Sequence, residues 1–146
     1  MRKNSADTAD LIAFHRNGGR IQVLNITRGD QPFKGHRALP GGYRDPGETS
    51  RQAAEREAFE ETGLRVQLTE RNFVGRYDRP GRDPRGPVVS DAYALLLTRP
   101  VSVRAGDDAA TVEWTDIDQA LCEGWAFDHA EILADAHAKL RAGRLG

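Results

Sequence analysis

Residues 42–64 read GYRDPGETSRQAAEREAFEETGL, a Gly/Pro/Asp loop followed by a helix whose charges do not balance. The loop runs from Gly42 to Gly47, strong helix formers take over from about Ser50, and Gly63 stands where a helix C-terminus usually ends. At about 100° per residue, Glu57, Glu60 and Glu61 fall within roughly a third of the helix circumference. Three carboxylates on one narrow face repel one another unless a cation neutralises them, whereas exposed helices usually mix signs at i,i+3 and i,i+4. An isolated EREAFEE would read as a solvated acidic face. In this setting the cluster predicts a seat for a hard divalent cation.

The complete spacing is more specific than the helix. Gly42, five residues, Glu48, seven residues, Arg56-Glu57, Ala58, Phe59, Glu60-Glu61, Thr62, Gly63, Leu64 resembles the Nudix box, GX5EX7REUXEEXGU. Seven fixed residues at set spacing arise by chance in a chain this size roughly once in a million or less. The one departure is Ala58, where that family usually has Leu, Ile or Val; an alanine there would let the helix sit closer to its sheet.

The totals set the outer bounds. At 146 residues the chain is one domain by length, residues 1–146, long enough to bury about 70% of its extended-chain surface. A net charge of −1 and a pI near 6.4 argue against unspecific nucleic-acid binding. The lone Cys122 excludes an intrachain disulfide and a cysteine-based zinc site. No apolar run approaches about 18 residues and MRKNSADTAD lacks an apolar signal core. A cytoplasmic protein with no membrane partner is the simplest expectation.

Outside the box the chain alternates short strands with loops. Residues 1–7 are polar and expected to fray. Leu11 to Phe14 and Ile21 to Ile26 read as antiparallel strands around Asn17-Gly18-Gly19. A polar loop over 28–37 leads to Pro40-Gly41-Gly42, where the backbone can turn sharply and approach a ligand closely. Leu64 to Leu68, Phe73 to Tyr77, Val88 to Thr98 and Val112 to Trp114 read as strands. Arg104 to Ala110 reads as a turn and Asp118 to Glu123 as a helical turn. Phe127 to Leu140 reads as an amphipathic helix beginning near Asp128 or His129. A mixed sheet between helices is the predicted α/β (α+β) architecture, matching the α/β/α sandwich that the Nudix resemblance implies.

Hard oxygen ligands at Glu57, Glu60 and Glu61 suit Mg²⁺ or Mn²⁺, and His15, His36, His129 and His137 match no ligand spacing. The resemblance adds the Gly41 carbonyl to that set and implies that Glu48 and Arg56 brace the loop, with Gly42 and Gly63, against the helix. It also implies hydrolysis of a diphosphate linked to another group, by a metal-activated water. The general base stays open between Glu57 and a distal carboxylate, for which Asp107, Asp108 and Glu113 are candidates. Asp107-Asp108 also reads as a plain turn pair.

PFKGHRALPGGYRDPGE, YDRPGRDPRGPVVSDAYALL, AGDDAATVEW and AFDHAEILADA resemble the ADP-ribose pyrophosphatase branch of the family. Arg37 replaces a usual Trp, and Thr111 a common acidic residue. Arg79, Arg82 and Arg85 would be a solvated loop on spacing alone; the resemblance makes them candidates to fork onto phosphate or ribose. Phe33, Tyr43 and Tyr77 are the candidate stacking surface. The expected function is therefore cleavage of ADP-ribose, a small-molecule nucleotide, to AMP and ribose 5-phosphate. The alternatives are a nucleoside triphosphate or another nucleotide sugar as substrate, or an ADP-ribose sensor that does not cut. Sensors of that kind carry a winged helix-turn-helix, for which a chain ending at Gly146 is expected to leave no room. Family members of this size often form homodimers, which the resemblance extends to this chain.

Overall fold

The computed structural model describes residues 7–99, 101–106 and 109–145. A mixed sheet carries the fold: β1 (Asp7–Asn17), β2 (Arg20–Arg28), β3 (Arg37–Ala38), β4 (Gly41–Tyr43), β5 (Phe73–Tyr77), β6 (Val89–Leu97) and β7 (Ala109–Asp116). The helices are α1 (Ser50–Thr62), α2 (Ile117–Leu121) and α3 (His129–Arg141), with a 3-10 turn at Glu70–Asn72. β1 pairs with β6 in parallel, and the remaining pairings are antiparallel.

Alternation along β1 builds both faces of the sandwich. Ala9, Leu11 and Ala13 point towards α1, where Leu24 and Tyr93 join them against Ala53, Ala54 and Ala58. Ile12 and Phe14 point the other way, to Ile132, Leu133 and Ala136 of α3 and Ile117 and Ala120 of α2. Each fully buried large side chain of this kind contributes about 1.5–3 kcal/mol. The layer of α1 facing the sheet contains only alanines and Thr62, with Ala58 fully buried, so the helix approaches the sheet closely. A capping box between Thr49 and Gln52 starts α1, and Gly63 ends it in the left-handed conformation, φ 78°.

The functional end of the sheet comes from a splay. β1 and β2 pair at their hairpin end, from Phe14↔Val23 to Asn17↔Arg20, and then diverge. Residues 37–43 enter the wedge, first as β3 on β2 and then as β4 on β1 at Thr8–Asp10. Between them Leu11 N–H donates to the Pro40 carbonyl at 2.8 Å. The Pro40-Gly41-Gly42 stretch thereby crosses from one strand to the other, beside the start of β1.

Three expectations change. Asp7 belongs to β1 rather than to a frayed terminus. Leu64 to Leu68 form no strand: Leu64 and Leu68 pack under α1, and the Leu68 N–H donates to Glu55 Oε2 at 2.7 Å. The alternation is satisfied there by side-chain packing without a ladder partner. β7 is longer than the Val112–Trp114 core, because it pairs with β2 from Ala109 to Asp116 with one register shift at Thr27/Arg28.

Candidate functional site

The glycine loop and α1 meet with no room for a side chain. A Cβ on Gly42 would overlap the Glu57 carboxylate, and one on Gly41 would overlap Asp10. Gly41 N–H donates to Glu61 Oε1 at 2.8 Å. Arg56 holds the loop in place, donating from Nε to Glu48 Oε2 at 2.7 Å and from Nη2 to the Tyr43 carbonyl at 3.0 Å. These bonds hold the Glu48 carboxyl below its ordinary range. Glu57 goes the other way: burial, aided by neighbouring Glu60 and opposed by Arg56, pushes its carboxyl up to about 7. Glu60 turns outward to Arg56 at 3.0 Å.

The opposite wall comes from the 79–87 loop, the end of β2 and the residues before α3. Arg85 holds the buried Asp83 at 2.7 Å and lies 5.1 Å from the Tyr43 ring and 5.2 Å from that of Phe127. Arg28 approaches Phe127 at 5.0 Å. Burial, and then Arg85, push the Arg28 pKa down. Phe127 sits at φ 53° and Phe33 at φ 62°, both left-handed, and their rings touch edge-on with centroids 4.9 Å apart. Between the walls lies a cleft of about 400 Å³ that Glu57 and Glu61 line together with Arg28, Tyr43 and Arg85. It adjoins a smaller chamber of about 70 Å³ bounded by Asp10, Arg82 and His129.

Among the described residues no three His, Cys, Asp or Glu side chains gather tightly enough to form a ready-made metal cluster. The donor chemistry nevertheless fits a hard cation, since Glu57 is a half-buried carboxyl pushed upward by burial and Glu61 lines the same cleft.

The NUDIX domain family model matches residues 5–136. The chain belongs to the NUDIX family. An ADP-ribose pyrophosphatase of Methanocaldococcus jannaschii is 41% identical over 114 residues, covering 78% of this chain and 64% of that protein. The ADPR responsive transcriptional repressor NtrR of Acinetobacter baylyi is 33% identical over 135 residues, covering 91% of this chain and 53% of that protein. The chain therefore spans less than two thirds of the length of either relative. Among solved structures, the NUDIX domain of Shewanella oneidensis NrtR complexed with ADP ribose superposes with a TM-score of 0.86 at 26% identity, over 95% of this chain and 90% of that one. The likeness confirms the mixed-sheet sandwich expected from the sequence.

Within this Nudix domain the predicted residues part company. Gly41, Gly42, Tyr43, Arg56, Glu57, Glu61, Arg82 and Arg85 all line the cleft or its chamber. Arg82 is buried there and bidentate on Asp128 at 2.6 and 2.9 Å, so it braces the wall. Gly63 caps α1 as expected. Tyr77 is corrected from the stacking surface: its hydroxyl donates to Asp135 of α3 at 2.7 Å, and its ring packs on the α3 side of the sheet. Arg79 is spent on Glu131 at 2.6 Å, and Phe33 packs behind Phe127. Glu113 binds Arg37 at 2.5 Å, and Arg37 also pairs with Glu123, so the Trp-to-Arg departure makes an ionic hub rather than a stacking platform. Asp107 and Asp108 lie outside the described residues. Gly106, just before them, donates to the Glu61 carbonyl at 2.8 Å, and a Cβ there would overlap the Glu60 carbonyl.

Arg28, Asp10 and Phe127 were missed from the sequence. Asp10 had a signal, as the one charged residue inside the apolar run ADLIAF; Arg28, at the exposed-looking end of β2, had none.

Proposed function

We propose that this Nudix domain, one domain over residues 1–146, hydrolyses ADP-ribose to AMP and ribose 5-phosphate with Mg²⁺ or Mn²⁺. The observation that carries the reading is the pairing of Glu57 and Glu61 with the side-chain-free backbone of Gly41-Gly42, across a cleft from Arg28 and Arg85. The 41% identity to an ADP-ribose pyrophosphatase favours that substrate over a nucleoside triphosphate or another nucleotide sugar.

Glu57, Glu61 and the Gly41 carbonyl would hold the ion, with Glu60 as the outer carboxylate. The bound cation would neutralise phosphate oxygens and acidify a water. The guanidiniums of Arg85 and Arg28 hold the diphosphate by charge-assisted hydrogen bonds. Tyr43 and Phe127 supply apolar surface for a base or ribose. Water adds to one phosphorus, the P–O–P bond breaks, and the proton leaves to a carboxylate. Glu57 is one candidate acceptor and the Asp107-Asp108 pair the other. Gly106 ties the segment before that pair to the turn of α1 bearing Glu60 and Glu61, which supports a role for the pair.

A panel of ADP-ribose, ATP, dGTP and ADP-glucose with each metal, read by product mass, tests the proposal. ADP-ribose is expected to have the highest kcat/KM. A triphosphate ahead of it would move the substrate assignment and leave the hydrolase intact. The repressor relative supports a second reading, in which ADP-ribose is bound and not cut; tight binding without products would establish that one.

A further inference from the structure

A buried polar cluster beneath the glycine loop has no part in the chemistry above. His129, the first residue of α3, is buried, and its Nδ1 accepts the Leu39 N–H at 2.9 Å. The Nε2 edge faces Asp10 Oδ2 at 3.6 Å, and Ser90 Oγ donates to that oxygen at 2.5 Å. A nitrogen that accepts carries no proton, so the imidazole is the Nε2–H tautomer. Burial pushes His129 below its ordinary value, which favours this neutral form.

The acceptor falls where the sheet supplies none. Leu39 lies between β3 and β4, in the wedge where the chain changes partners. The next two residues are held by different elements: the Pro40 carbonyl accepts from Leu11 of β1, and Gly41 N–H donates to Glu61 of α1. Three consecutive residues are thus pinned by α3, β1 and α1 in turn. Gly41 and Gly42 also pair with Asp10 and Ala9 of β1, so release of the first would loosen the approach to the loop, and with it the fit of the Gly41 and Gly42 peptides against Glu57 and Glu61, without breaking that ladder.

We propose that His129 is a positioning residue that fixes the Gly41-Gly42 backbone against Glu57 and Glu61 by accepting the Leu39 N–H. Its kinetic readout rests on the hydrolase reading; its structural readout does not.

The test compares His129→Leu, which keeps apolar bulk without an acceptor, with His129→Asn, whose amide oxygen falls close to the Nδ1 position. Turnover of ADP-ribose with Mn²⁺ and amide hydrogen exchange at Leu39 are measured on the full chain. For His129→Leu, kcat is expected to fall about 100-fold, the effect of a misplacement near 1 Å. KM should move less than about threefold, as for an interaction acting in the transition state. Leu39 exchange should accelerate about tenfold or more through local opening, and His129→Asn should recover most of both. Wild-type kcat and Leu39 protection in His129→Leu, or an Asn variant no better than the Leu variant, would overturn the proposal. Should His129→Leu fail to fold, His129→Asn is set against His129→Gln, whose oxygen lies one bond further out, and equal behaviour of those two refutes it. If the wild type hydrolyses none of the panel, the hydrolase reading fails and the exchange comparison still decides the role of His129.

Discussion

Replacing Glu57 with Gln should have opposite effects on stability with and without metal. The carboxyl is raised from an ordinary 4.5 to about 7, chiefly by burial. A folded-state pKa above the unfolded one means that the folded protein binds the extra proton between these values. The stability cost is then absent below about pH 4.5, grows through the window and is complete above about pH 7. At about 1.4 kcal/mol per unit the shift amounts to roughly 3 kcal/mol. The side chain is still 19% exposed, so solvent screening lowers a fair figure to about 2 kcal/mol. Glutamine keeps the shape and removes the ionisation. In EDTA at about pH 8, Glu57→Gln should therefore melt about 5 °C above wild type, and the gap should close as pH falls towards 4.5.

Metal reverses the order. A cation that binds only the folded state stabilises it by about 2.7 kcal/mol at a hundred times its Kd. Wild type should gain this in Mn²⁺ and Glu57→Gln should gain little of it, with kcat lower by orders of magnitude. Differential scanning calorimetry across pH, with EDTA or Mn²⁺, reads both limbs. A Glu57→Gln variant no more stable than wild type in EDTA at about pH 8, with a difference independent of pH, would refute the electrostatic argument for the site.

Arg82→Ala would leave Asp128 buried and unpaired, so urea unfolding should show a loss of about 3–5 kcal/mol. Arg85→Ala should instead raise KM for ADP-ribose about tenfold while kcat changes less than threefold, because the guanidinium holds substrate and transition state alike. Gly106→Ala would force a methyl group into the Glu60 carbonyl at a cost of about 1–3 kcal/mol, and turnover should fall more than the melting temperature suggests; equal kcat in the variant would detach this loop from the chemistry.

The box helix was legible because its signals are local. Capping residues, helix formers and the glycine terminator of α1 lie within one short segment, and the spacing of Glu57, Glu60 and Glu61 follows from helical periodicity. The wedge was not legible, since β3 and β4 have two and three residues and so carry no periodicity. Arg82 shows the other limit. By spacing it belongs with Arg79 and Arg85, yet its partner Asp128 stands 46 residues away, and only the packed fold separates a buried brace from its exposed neighbours.

The site is also marked by where the fold departs from what would be most stable. A half-buried carboxyl next to further glutamates, glycines with no space for a methyl group and two phenylalanines in left-handed conformations all gather where β1 and β2 diverge. A non-glycine residue at positive φ costs on the order of 1–3 kcal/mol, so two in ring contact are not an accident of packing. The hairpin end of the same strands has a regular ladder in which Gly18 takes the positive φ, and among the described residues its one concession is the buried His15, whose ring nitrogens make no hydrogen bond. The alanine face of α1 and the bonds that Asp128 and His129 make at the start of α3 hold the strained end together from both sides of the sheet. Stability given up locally and supplied by both helix layers is the arrangement expected of a preorganised site. This points to the splayed end of the sheet without reference to any relative.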